Sequence, residues 1–195
     1  MRAIVYERYG PPDVLELRDV ERPVPKDNEV LVRVHASSIN VADWIFLTGK
    51  PWVIRLAAGL RRPSSPILGR DVAGRVEAVG AAATRFRPGD EVFGEVDLGA
   101  YAEYVAVPES GLAPKPNSLT FEQAAAVPLA GITALQGLRD HGRLRAGQTV
   151  LINGASGAVG TFAVQVAKAL GAEVTGVCST RNAEMVRSIG ADRIS

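Results

Sequence analysis

The 195-residue chain has a single cysteine, Cys178, so no internal disulfide can form. A reducing, cytoplasmic compartment is the setting this predicts. Histidine is scarce too, with only His35 and His141. A catalytic zinc needs three protein ligands and a structural one usually four. One thiol and two imidazoles at unrelated spacing do not supply them, so no metal is expected. The opening MRAIVYERYG lacks the apolar stretch and small-residue cleavage site of a signal peptide. No run approaches the roughly 20 apolar residues of a membrane span. Charge of one sign is lacking as well: the formal net charge is +1. A chain with so little net field is not expected to take nucleic acid or an anionic membrane as partner. What remains is an ordinary globular balance, 47% hydrophobic and 22% charged, able to bury a substantial core.

The first hundred or so residues read as strands. Val30, Val32, Val34 and Ala36 alternate with Leu31, Arg33, His35 and Ser37, the period of a half-buried strand. Asp71–Gly80, Asp90–Val96 and Ala100–Val107 follow as further strands, with Gly74 as a bulge or a close backbone approach. Prolines punctuate the stretch (Pro11, Pro12, Pro23, Pro25, Pro63, Pro66, Pro88), as in a partly open barrel with long loops. A short helix is predicted from an Asn40 N-cap to just before Gly49. The loop Arg55–Arg62, with three arginines, reads as solvated or as a lid. Around Pro114–Leu119 the character changes. Thr120 and Gln123 form a capping box, helices run to about His141, and from Thr149 the pattern becomes strand, helix, strand, helix.

The most specific signal lies in that last part. Val150-Leu151-Ile152 is an apolar run of the kind found in a parallel strand buried on both faces. Asn153 and the turn Gly154-Ala155-Ser156-Gly157-Ala158-Val159-Gly160 come next. The following helix carries Val159, Phe162, Ala163, Val166, Ala167 and Leu170 on one stripe; Gly171 stops it and Glu173–Val177 is the second strand. A dinucleotide needs this order: glycines admit the pyrophosphate, and the helix N-terminus offers N–H donors and partial positive charge. The turn is not a nucleophile elbow, because Gly157 directly follows Ser156. Sites for NAD usually place an acid at the end of the second strand. Here Val174–Ala183 has none, and Ser179, Thr180 and Arg181 stand there. Hydroxyls and a guanidinium suit the 2′-phosphate of NADPH.

Several segments carry a resemblance to a known family. They are Ser38-Ile39-Asn40-Val41-Ala42-Asp43-Trp44, Pro66–Gly74 with Val76 and Val79-Gly80, Phe86–Gly94, Tyr101–Tyr104, Ala124–Leu129 with Thr133-Ala134, and the glycine turn. Together the chain resembles the medium-chain dehydrogenase/reductase superfamily, in its zinc-independent, quinone oxidoreductase-like branch. The resemblance implies an α/β chain with a β-rich first domain: a GroES-like, partly open barrel over 1–118 that carries the substrate site. An incomplete Rossmann domain, the first half of a doubly wound parallel sheet that binds NADP, follows over 119–195. It also implies that zinc-dependent relatives have a Cys near Asn40, a His near Arg70, a Cys near Ala130 and a four-cysteine lobe after Phe93, none of which occurs here.

What the resemblance implies for function is hydride transfer from NADPH to a quinone, enone or other conjugated carbonyl, with a homodimer in the full-length form. The helix from Asn40 is the one the family sets beside the nicotinamide, and Thr133 stands where relatives bind that end of the cofactor. Asn40, Asp43 and Asp71 are the candidate catalytic residues. Each has a structural alternative: capping for Asn40, a structural hydrogen bond for Asp43 and a salt link to Arg70 for Asp71. Trp44 and Phe46 suit an apolar pocket or core packing, and His35, His141 and Cys178 read as structural. Ile45 stands where many quinone reductases have a tyrosine, which removes that phenol as a proton donor. The chain stops where a third Rossmann strand is expected to begin. Two other classes therefore stay open: an inactive fragment retaining weak nucleotide binding or a structural role, and, against the missing ligands, a zinc alcohol dehydrogenase.

Overall fold

The computed structural model describes Met1–Ser195, which divide into two compact units, Met1–Pro128 and Leu129–Ser195. In the first, β1 (Arg2–Val5) pairs with β2 (Glu16–Asp19) as a two-stranded ribbon. The main sheet then begins with β3 (Glu29–Ala36), followed by helices α1 (Val41–Thr48) and α2 (Arg55–Ala58). Strands β4 (Asp71–Val79), β5 (Glu91–Glu95), β6 (Tyr104–Pro108) and β7 (Leu112–Pro114) complete it before α3 (Phe121–Ala125). The sheet is antiparallel and open, in the order β6-β3-β4-β5-β7. Its core is mostly β-branched: Val30, Val32, Val72, Val76, Val92, Val105 and Val107, with Phe86 and Leu112.

Alternation along β3 is broken, because Leu31 is buried as well as Val30 and Val32. The register with β4 shifts between Leu31 and Val32, where Glu77 of β4 is the extra residue, so that Val30 and Val32 still face Val79 and Val76. Gly74 is a site of close approach: a Cβ there would collide with the carbonyl oxygen of Arg33 on the paired strand. The expected short helix spans α1, with Asn40 as its N-cap and Gly49 closing it in the left-handed region at φ 60°. The Arg55–Arg62 stretch is more ordered than a solvated loop. A 3-10 turn over Trp52–Ile54 leads into α2, and Tyr9 donates its hydroxyl to the Gly59 carbonyl.

Helix α3 opens with the Thr120–Gln123 capping box: Thr120 N–H donates to Gln123 Oε1 at 3.0 Å and Gln123 N–H to Thr120 Oγ1 at 3.2 Å. Ala124 and Ala125 pack against Ala73 of β4, so α3 is grouped with the first unit, and the contact boundary falls after Pro128 rather than after 118.

Helix α4 (Pro128–Leu135), all but its first residue in the second unit, runs on into a π-helical turn over Gln136–His141, closed by Gly142 N–H to Gly137 O at 2.9 Å. Then come β8 (Thr149–Asn153), α5 (Ala158–Ala169), β9 (Glu173–Val177), α6 (Ala183–Ser188) and β10 (Arg193–Ile194). The strands are parallel in the order β10-β9-β8. The core is Ile152, Ala155, Ala163, Val164, Ala167, Val174 and Val186, with Cys178 partly buried against it.

Two sequence expectations need correcting here. Strand β8 is not buried on both faces: Ile152 is buried, while Leu151 is 64% exposed. In this chain β8 pairs with β9 alone and is therefore an edge. The buried face of α5 is also turned from the expected stripe. Ala163, Val164 and Ala167 are buried and Val159 is exposed. Gly160, invisible to hydrophobic periodicity, lies on the docked face, and its closeness to Gly154 and Ala155 sets how the helix sits.

Candidate functional sites

A polar cluster gathers at the N-terminus of α1 in the first unit. Asp43 and Asp71 are both buried, which requires that their oxygens find donors. Asp43 accepts from the backbone N–H of Asn40 through Oδ2 at 2.8 Å and from that of Gly69 through Oδ1 at 3.1 Å. It thereby ties the start of the helix to the strand-entry loop. Asp71 Oδ2 accepts from Ser38 Oγ at 2.5 Å and from Asn40 Nδ2 at 2.9 Å; Asn40 Nδ2 also lies 3.0 Å from Ser38 Oγ. Ser37 Oγ donates to the Asp71 carbonyl at 2.6 Å. The guanidinium of Arg70 pairs with Glu95 of the neighbouring strand at 2.7 Å.

The three candidate catalytic residues are thus gathered, joined by Ser38 and by Tyr101, whose hydroxyl donates to the Ser38 carbonyl at 3.1 Å. Tyr101 is not among the candidate residues that the sequence offers: the Ser38 carbonyl it reaches lies 63 positions away, and no local pattern announces it. Burial pushes the Tyr101 hydroxyl well above its ordinary range, and the Asp43 and Asp71 carboxylates push it further. Tyr6 is pushed up to about 12, first by burial and then by Tyr9 and Asp43. Both phenols are therefore donors, not anions, at neutral pH. His35 stacks on Phe121 with ring centroids 4.3 Å apart, a packing role. Trp44 is exposed and Phe46 packs partly against the cluster of Tyr6, Val14, Leu47 and Leu68.

The second unit holds the glycine turn. Gly154 adopts φ 72°, the left-handed region. Gly157 N–H donates to Gly154 O at 2.9 Å, and Ala155 N–H to Val177 O at 3.0 Å, tying the turn to the end of β9. A Cβ at Gly160 would strike Gly154 O, whereas nothing lies within 4 Å of where one would stand on Gly154. The inner side of the turn is packed to contact and its outer side is open. Gly157 caps the twelve-residue α5, whose first-turn N–H groups, from Ala158 to Gly160, have no acceptors within the helix. A pyrophosphate fits such a cradle, since backbone donors face open space at the positive end of a helix.

Beyond β9, Ser179, Thr180 and Arg181 are exposed on a 3-10 turn that follows the strand. Asn182 Nδ2 donates to Ser156 Oγ at 3.0 Å, linking this turn to the glycine turn. The glycine turn and the expected 2′-phosphate group are therefore neighbours. Asn153 is exposed at the end of β8. Thr133 is exposed on α4, its hydroxyl turned to the Leu129 carbonyl at 2.6 Å. No group of three or more His, Cys, Asp and Glu side chains is arranged to hold a metal ion.

The alcohol dehydrogenase GroES-like domain matches residues 26–117. The chain is 43% identical, over 97% of its length, to a quinone oxidoreductase of Pseudomonas aeruginosa and 38% identical, over 95%, to the quinone oxidoreductase of Homo sapiens. It spans 57% and 55% of the lengths of those two relatives. Among solved structures, Escherichia coli quinone oxidoreductase complexed with NADPH superposes on it with a TM-score of 0.86 at 31% identity, covering 100% of this chain and 58% of that one.

Proposed function

The chain belongs to the medium-chain dehydrogenase/reductase superfamily, in its quinone oxidoreductase-like branch, and from that premise we propose an NADPH-dependent oxidoreductase. The protein it represents would reduce a quinone, enone or other conjugated carbonyl without zinc, as a cytoplasmic homodimer. The observation that carries the reading is the open outer face of the Gly154–Gly160 turn at the head of α5, beside a strand end that bears Arg181 and no acid.

Bound NADPH supplies the hydride. The backbone donors of Ser156 and of Ala158 to Gly160 would hold the pyrophosphate, while Gly157, its N–H turned to Gly154 O, shapes the turn with Asn153 and Ala155. Ser179, Thr180 and Arg181 bind the 2′-phosphate, and Thr133 is assigned to the nicotinamide end. In the first unit Asp71 fixes Ser38 and Asn40, while Asp43 fixes the start of α1. Oxyanion stabilisation without a metal falls to hydrogen-bond donors. Quinones and enones spread the developing charge and suit such a site, with water delivering the proton.

A titration of this chain with NADPH and NADH is the first test, followed by a substrate panel and elemental analysis on a full-length version. Preference for NADPH, turnover of quinones and indifference to strong chelators are expected. Tighter binding of NADH, or activity restored specifically by zinc, would overturn the reading. The open edge of β8 and the exposed Leu151 favour a second reading for the isolated chain alone, nucleotide binding with little or no turnover.

A further inference from the structure

Half of the chain's exposed large apolar side chains crowd into one stretch of the first unit: Ile39, Val41, Trp44, Trp52, Val53, Leu56 and Leu60. Trp44 is 53% exposed, Trp52 67% and Leu56 66%. The charges around them are one-sided. Between Asp43 and Asp71 there is no acidic residue, whereas Lys50, Arg55, Arg61, Arg62 and Arg70 all fall there. Two of these cations are engaged: Arg70 with Glu95, and Arg55 over the Tyr9 ring at 4.4 Å with a hydrogen bond to Gly49 O. Lys50, Arg61 and Arg62 are exposed and flank the apolar residues on both sides in sequence. The net charge of +1, which argues against a membrane partner, averages this imbalance away.

The stretch is anchored as well as exposed. Tyr9 holds Gly59, Arg55 holds Gly49, and Ala58 is buried. The 3-10 turn and α2 therefore present Trp52, Val53, Leu56 and Leu60 from a fixed base. An exposed apolar patch is a site of interaction. Tryptophan beside aliphatic side chains, flanked by free Lys and Arg with no acids, is the composition that seats at a lipid–water interface. Aliphatic side chains enter the acyl boundary, indoles sit at headgroup level and the cations meet anionic lipid.

We propose that the Trp44–Arg62 face binds the surface of a bilayer containing anionic phospholipid, lying on it rather than crossing it. No helix of the chain is long and apolar enough to cross a membrane.

The two tryptophans, Trp44 and Trp52, are the only ones in the chain and both are exposed within this stretch, so intrinsic fluorescence reports on it. The intact chain is mixed with vesicles of pure phosphatidylcholine, or of phosphatidylcholine carrying about a third phosphatidylglycerol, and followed by emission wavelength, brominated-lipid quenching and flotation. Blue shift, quenching and co-flotation with the anionic vesicles are expected, fading with added salt. The triple variant K50Q/R61Q/R62Q should bind roughly a hundredfold more weakly, from about fivefold per cation. Leu56→Ser should cost about tenfold, and the exposed control Arg187→Gln nothing. Absence of anionic-vesicle binding by the unaltered chain overturns the proposal. So does binding that ignores lipid charge and the triple substitution. A concentration-dependent oligomer abolished by Leu56→Ser, without vesicle binding, would assign the face to a second copy of the chain instead.

Discussion

Replacing Asp43 by alanine tests the hydrogen-bonded frame of the α1 site most directly. Its carboxylate is buried and receives two backbone N–H groups, from Asn40 at 2.8 Å and Gly69 at 3.1 Å. Alanine leaves both donors without their acceptor. Each hydrogen bond to a charged group contributes about 1.5–3 kcal/mol. Some relaxation and water entry offset the loss, so a destabilisation of about 3–5 kcal/mol is expected, a large share of the ~5–15 kcal/mol that holds a domain together. Asp43→Asn keeps the shape and one acceptor, and should cost about half as much.

Urea unfolding followed by tryptophan emission, with Trp44 one residue away, measures both variants. A second readout separates the charge from the packing. Asp43 helps raise Tyr101 and Tyr6, so in Asp43→Asn both phenols should ionise at lower pH, as seen in the phenolate absorbance. If Asp43→Ala costs less than about 1 kcal/mol, or Asp43→Asn leaves the tyrosine titration unmoved, the carboxylate does not hold these loops.

Alkaline pH should act through the same tyrosines. Tyr6 is raised from 10.0 to about 12, so the unfolded chain gives up that proton first. Stability is therefore unaffected by this group below about pH 10 and falls as the pH rises through about 12; urea midpoints across that range should fall, and a flat profile would contradict it. Arg181→Ala should weaken NADPH binding by about 1–3 kcal/mol and NADH binding little; equal loss for both, by fluorescence titration, removes Arg181 from the 2′-phosphate site. The unpaired edge of β8 should make the chain self-associate, and Leu151→Lys, a charge on its exposed face, should shift size-exclusion profiles toward monomer; identical profiles would place the association elsewhere.

Features written in a few adjacent residues were legible in the sequence. Asn40 and Gly49 mark the ends of α1, Thr120 and Gln123 reciprocally cap α3, and the spacing of Gly154, Gly157 and Gly160 sets a turn between strand and helix. Each depends on a hydrogen bond or backbone conformation only a few residues long. Long-range placements were not legible. Tyr101 reaches Ser38, and Arg70 takes Glu95, only because the sheet brings them together. The turn of α5 onto Val164 follows from Gly160, a residue without a side chain for a periodicity to count. Leu31 is buried although the alternation along β3 sets it on the face opposite Val30 and Val32. The exposure of Leu151 depends on which strands flank β8, a property of the sheet and not of the segment.

The position of β8 also governs how this strand exchanges its amide hydrogens. A parallel strand points alternate peptide groups to opposite sides, and only one side of β8 meets a partner. Protection should therefore rise and fall every second residue from Thr149 to Asn153, while β9, flanked by β8 and β10, is covered on both sides. The segment that leads into the glycine turn would then open more readily than the strand beside it, and the turn inherits that mobility at one end while Ala155 and Asn182 hold it at the other.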